Sequence, residues 1–167
     1  MAIVLGLLGS LEVRAEGPIV ALGSPAQRRL LAMLAVQAGE VVSAERLADV
    51  TWCGDPPVVA SADLENHVYK LRNVIGGDRV ITRPPGYLLG AAGDEIDAGV
   101  FEGLVRAAER SEPGETVDMI DDAPALWRGP PLAEFEYEDW ARPTVVRREG
   151  LHLAAIERCR CRTEATR

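Results

Sequence analysis

Within the first ninety residues the apolar pattern changes period in a fixed order, and few folds accommodate that order. Residues 3–8, 11–15 and 18–22 are short apolar or alternating runs separated by Gly9–Ser10 and Glu16–Gly17, the pattern of a small antiparallel meander. "SPAQRRLLAMLAVQAG" then switches to helical spacing. Ser24 is placed to cap it and Pro25 to open it, Leu30, Leu31, Leu34 and Ala35 share one face, and Gly39 stops it. "VVSAERLADVTW" gives a second, shorter helix capped by Ser43, and "CGDPP" a turn. A third helix is expected from about Ala60 to Ile75, ended by Gly76–Gly77. "DRVITRPPGYLLG" returns to two short strands around Pro84–Pro85–Gly86. Strands, three helices and a hairpin in this order predict a winged helix-turn-helix.

After Gly93 the strand pattern stops. "DEIDAGVFEGLVRAAERSE" reads as a helix with Phe101, Leu104, Val105 and Ala108 on one face. "GETVDMIDDAPALWRG" reads as a second helix disturbed by Pro124, and the stretch from Tyr137 onward as a long helix interrupted near Pro143. Gly129–Pro130–Pro131 forces a turn, so Trp127 is expected to anchor that corner against Phe101 and Leu104. The expected fold class is mainly α with small β: residues 1–92 form a winged helix, and residues 93–167 an all-α domain of helical hairpins.

On the third helix Leu64, Val68, Leu71 and Ile75 fall on one side, a core face. Opposite them lie Asn66, Tyr69, Lys70 and Asn73, a face with amides, a phenol and the chain's only lysine but no carboxylate. Asn pairs with adenine edges, Lys with guanine or phosphate, and Tyr donates to phosphate. By itself the helix reads more readily as an ordinary one with a solvated side. The arginines add to the picture. Arg79 and Arg83 bracket the first strand of the hairpin, Arg72 flanks the reading face, and Arg28 and Arg29 lie early in the first helix. The net charge of −8 does not oppose this reading. Residues 1–92 carry eight basic and nine acidic residues, whereas 93–167 carry ten and seventeen. A local basic face governs contact with nucleic acid.

Other classes find little support. Two histidines far apart, His67 and His152, and the lack of a phosphate loop, zinc-protease helix motif or nucleophile elbow argue against an enzyme. Cys53, Cys159 and Cys161 are an odd set with unsuitable ligand spacing, so no metal and no cofactor is expected. The apolar start "MAIVLGLLG" is too short for a signal peptide, and no run is long enough to span a membrane; the expected location is the cytoplasm.

The strings "GSPAQRRLLAMLAVQAGEVVSAERLADVTWCGDPP", "HVYKLRNVIG" and "VITRPPGYLLG" resemble the DNA-binding domain of the SARP family, the actinobacterial antibiotic regulatory proteins, an OmpR-type winged helix. "IDAGVFEGLVRAA" and "ALWRGPPLAEFEYEDWA" resemble the start of that family's bacterial transcriptional activation domain, with Trp127 to Leu132 the most specific string. The resemblance implies an activator of an antibiotic gene cluster that binds direct repeats of double-stranded DNA near a promoter, usually as a pair, and recruits RNA polymerase. It places the recognition helix at Leu64 to Ile75, the wing arginines at Arg79 and Arg83, and Trp52 and Tyr87 at core positions. Three departures stand out. Glu65 replaces an uncharged polar residue, "PGETVDMIDDAP" is short and acidic, and the chain ends before further helices, so the helical domain is expected to be incomplete. The competing reading is an interaction module that pairs with full-length regulators without binding DNA.

Overall fold

The computed structural model describes residues 3–110 and 123–165, with residues 159–165 as backbone. They fall into two compact units. One comprises 1–5 and 11–92; the other comprises 6–10 and 93–167.

The first unit begins with a three-stranded sheet in the order β1 (Ile3–Gly6), β2 (Glu12–Ala15), β3 (Ile19–Val20). The first strand is shorter than its apolar run. Leu7 and Leu8 leave it because their amide hydrogens are taken by the Asp97 carboxylate. Helix α1 (Pro25–Val36) starts where the sequence places it. Ser24 Oγ accepts from Gln27 N while the Gln27 side chain accepts from Ser24 N, so two amides that have no partner within the helix are satisfied. Helix α2 (Ala44–Thr51) is capped in the same manner by Ser43, whose hydroxyl accepts from Arg46 N. Helix α3 (Ala60–Ile75) closes the three-helix cluster.

The second sheet is ordered β4 (Val41–Ser43), β6 (Gly86–Leu89), β5 (Val80–Arg83). Strand β4 was not expected, since Val41–Ser43 runs directly into α2 and three residues carry no period. Its partner lies far along the chain: Val41 pairs with Leu88 and Ser43 with Gly86. The β5–β6 hairpin turns through a cis peptide between Pro84 and Pro85 and pairs Val80 with Leu89 and Arg83 with Gly86. Leu30, Leu31, Leu34, Leu47, Leu64 and Leu71 are all but inaccessible to solvent, joined by Val68, Ile75, Val80 and Leu89. Each such aliphatic side chain contributes about 1.5–3 kcal/mol relative to exposure. This core fixes the roll of α3 about its axis.

In the second unit α4 (Asp97–Arg110) and α5 (Arg142–Ala165) are the described helices, joined by 3-10 turns at Ala123–Leu126 and Ala133–Phe135. The helix expected over 114–129 falls largely outside the described residues; within its described part, Ala123–Leu126 is a 3-10 turn. Pro143 does not interrupt the last helix but sits in its first turn, where a missing amide hydrogen costs nothing. The helical backbone continues to Ala165.

Candidate nucleic-acid interface

The four core positions of α3 are between 0 and 2% exposed. One helix can bury only one side, so Asn66, Tyr69, Lys70 and Asn73 are turned outward, and all four are exposed. Tyr69 is 63% exposed, high for an aromatic residue of a folded domain. Arg83, at the end of β5, is exposed as well, and Arg79 is half-buried.

Two residues expected to face DNA are used inside the unit. Arg72 reaches from α3 to β5, donating from Nε to the Val80 carbonyl at 2.8 Å and from Nη2 to Thr82 Oγ1 at 2.9 Å. The planar guanidinium suits this forked grip, which ties the hairpin to the third helix. Arg28 donates from Nη2 to the Leu11 carbonyl at 2.7 Å and is half-buried. Both side chains are therefore held by acceptors of their own unit. A basic residue in the right stretch of sequence does not reveal that a backbone carbonyl of another element lies within its reach.

Around α3 the electrostatics are local. His67 packs edge-on against Trp52, with ring centroids 5.8 Å apart, and Trp52 is half-buried rather than fully in the core. Burial lowers the His67 pKa, Lys70 lowers it further, and Asp63 opposes. His67 is therefore neutral near pH 7 and adds no positive charge to the helix. Tyr87 is in the core as expected. Its phenol is pushed up by burial first and by Glu65 second, against Arg72. Glu65 is thus exposed on α3 and close enough to act on the base of the wing.

The second unit is built around one buried carboxylate. Asp97, at the start of α4, accepts from Leu7 N at 2.6 Å and from Leu8 N at 3.0 Å. Arg128 Nη2 lies 3.1 Å from the same carboxylate, and its Nη1 donates to the Ser10 carbonyl. The backbones continue the pairing: Arg128 N donates to Leu8 O, Leu132 N to Leu7 O, and Ala133 N to Gly9 O. Residues 6–10 are thereby bound into the helical unit. This network explains why Asp97 and the Trp-Arg-Gly-Pro-Pro-Leu string belong together, which spacing alone could not show. Trp127 meets Phe101 edge-on at 5.3 Å, as expected, and His152 at 4.0 Å. It is half-buried, however, and so is not the fully enclosed anchor expected from the turn alone.

Burial also lowers the pKa of His152. A histidine whose folded pKa lies below its unfolded value of 6.5 favours folding above that value and loses this contribution as pH falls through the folded pKa. His67 acts in the same direction. The thermal midpoint should therefore drop between about pH 7 and pH 5, and His152→Gln should flatten part of that drop in the second unit. A pH profile in this range that His152→Gln leaves unaltered contradicts the assignment.

Sequence and structure comparisons agree with these two units. Residues 20–89 match the model of "Transcriptional regulatory protein, C terminal", and residues 96–165 that of "Bacterial transcriptional activator domain". Transcriptional regulatory protein MoaR1 of Mycobacterium tuberculosis is 32% identical over 146 residues, covering 80% of this chain and 47% of that protein. Regulatory protein DnrI of Streptomyces peucetius is 29% identical, covering 92% and 62%. A solved structure of Mycobacterium tuberculosis EmbR, in complex with a low affinity phosphopeptide, superposes with a TM-score of 0.83 at 28% identity, covering 92% of this chain and 43% of that one. The chain thus spans less than half the length of MoaR1 and of the EmbR chain.

A winged helix followed by a helical activator domain defines a class of bacterial transcription regulators. Within that class, the chain belongs to the SARP family. No helix among the described residues is long and apolar enough to cross a membrane.

Proposed function

We propose that the protein is a sequence-specific DNA-binding activator that lays α3 in the major groove and the β5–β6 wing along the backbone or minor groove. The observation that carries this reading is the outward, carboxylate-free face of Asn66, Tyr69, Lys70 and Asn73, on a helix whose opposite side is locked into the core. Asn66 and Asn73 are assigned to base edges, Lys70 to guanine or phosphate, Tyr69 to phosphate, and Arg83 with Arg79 to the wing contact. Arg72 is a positioning residue, which sets the angle between wing and helix from within. Arg28 braces α1 against the first sheet in the same sense. The acidic second unit is assigned to RNA polymerase, and the targets to direct repeats at promoters of an antibiotic gene cluster, bound by a pair of chains.

Lys70→Ala is expected to weaken DNA binding by about 1–3 kcal/mol. Arg14→Ala, on β2 and paired with Glu12 at 3.1 Å, should leave it unchanged. Titration of a promoter fragment over a range of salt measures both. Binding without salt dependence, or no binding, would favour the interaction module instead, because phosphate contacts release counterions. Equal effects of the two substitutions would remove α3 from the interface.

Glu65→Gln should strengthen binding at low salt, since an exposed carboxylate on the reading helix meets the phosphate field unfavourably. Unaltered affinity in the same titration means that Glu65 faces the wing and not the DNA.

A further inference from the structure

The second unit contains an open cleft of about 340 Å³ between the Trp127–Pro131 turn and the outer side of α5. Its size lies at the lower end of the range for small-ligand sites. From α5 it takes Glu149, His152, Leu153 and Ile156, positions that recur at helical spacing and so share one side. The facing wall is Trp127 with Pro130 and Pro131, rigid groups that lose little conformational freedom when covered. Leu153 is 62% exposed although it lies on this apolar surface. The Trp127 Nε1–H is buried with no acceptor among the described residues.

The charge in the cleft is one-sided. Acidic residues of α4 are neutralised in place: Glu102 by Arg106 at 3.2 Å and Arg147 at 2.8 Å, and Glu109 by Arg158 at 3.0 Å. Glu149 has no ion pair among the described residues. Three and four positions away on its helix stand Val145, Val146, His152 and Leu153. His152 supplies no cation, because burial favours its neutral form. An apolar cleft bearing a single unneutralised carboxylate selects a molecule with an apolar body and one positive end.

We propose that this cleft binds a small amphipathic amine, with its apolar or aromatic body against Trp127 and the Pro130–Pro131 wall and its ammonium on the Glu149 carboxylate. The indole face and the two proline rings offer apolar surface to the ligand body, and Trp127 adds a large polarisable surface beside the cation. The cleft belongs to the second unit, whereas α3 belongs to the first.

The test uses the intact ¹⁵N-labelled protein and three probes: 2-phenylethylamine, 3-phenylpropionate with the same body and opposite charge, and ethylamine with charge but no body. The indole N–H resonance of Trp127, identified by its loss in Trp127→Phe, should shift saturably with 2-phenylethylamine. The other two probes should bind at least about tenfold more weakly, a difference of about 1.4 kcal/mol. Glu149→Gln should weaken the amine by a similar factor. Leu153→Arg, which leaves Trp127 in place and sets a cation at the mouth, should abolish the response. Equal binding of the carboxylate, unaltered affinity in Glu149→Gln, a retained response in Leu153→Arg, or a shift that never saturates overturns the proposal.

Discussion

Asp97→Ala is expected to unfold the helical unit at temperatures where the winged helix stays folded. The carboxylate is 8% exposed and accepts from two backbone amides while pairing with Arg128. Removing it leaves the Leu7 and Leu8 amides buried without acceptors and strips the Arg128 guanidinium of its counter-charge. Each buried amide left without an acceptor costs about 1–3 kcal/mol, and two such losses are a large share of the stability of a small domain. The damage spreads, because Arg128 also carries the turn that delivers Leu132, fully buried, and Phe101 and Trp127 pack on that turn's edge. Asp97→Asn, which keeps one acceptor oxygen, should cost less. Denaturation followed residue by residue in NMR spectra reads the two units separately. An unfolding midpoint of the second unit equal to the parent's in Asp97→Ala would show that the network is dispensable. By the same reasoning, residues 93–167 expressed alone should fold poorly, since Gly6–Ser10 supplies the backbone that Arg128, Leu132 and Ala133 pair with.

What the sequence discloses here follows the range of the interactions. Helix α3 was legible to the residue because its signal is local: four apolar residues at helical spacing and a glycine at the end, with Gly76 at φ 104°. The caps Ser24 and Ser43 were legible for the same reason, since each bonds within its own first turn. The features that were not legible depend on partners outside their own helix or turn. Strand β4 exists because β6 comes back to it, and Arg72 turns inward because β5 offers a carbonyl and a hydroxyl. Pro143 was misplaced for another reason: proline breaks a helix interior but suits a first turn, and the pattern alone did not reveal where the helix began. At the candidate interface the outward face was readable from periodicity, whereas the inward arginines were not. Arg148 marks the limit of such reading. It sits on α5 as one of two adjacent arginines, yet Arg147 is exposed and paired with Glu102, while Arg148 is 6% exposed. Burial lowers its pKa, against the fields of Glu102 and Asp97.

Gly86→Ala should abolish the wing. Gly86 begins β6 and pairs with Ser43 on one side and Arg83 on the other, the centre of a three-stranded sheet. A Cβ built there falls on the Val42 carbonyl oxygen and within 2.8 Å of Ala44 N. Both are backbone atoms, so no side chain can rotate aside. Either β6 moves off β4 or the pairing is lost, and Ala44 N also gives up its bond to the Pro85 carbonyl at the start of α2. Overpacking a core typically costs about 1–3 kcal/mol, and a clash with backbone in a sheet centre belongs at or above the upper end. The effect should reach DNA binding as well. With β6 displaced, Tyr87 leaves its buried position, and β5 no longer holds Val80 and Thr82 where Arg72 grips them. Gly86→Ala is therefore expected to lower the midpoint of the winged unit and weaken promoter binding by more than Lys70→Ala does, although residue 86 itself touches no nucleic acid. Amide exchange in Val80–Arg83 and Gly86–Leu89 measures the first effect, and the salt-dependent titration the second. Unaltered exchange protection would mean that β4 and β6 stand further apart than the structure places them. Lost protection with full DNA affinity would mean that α3 reads its site without the wing.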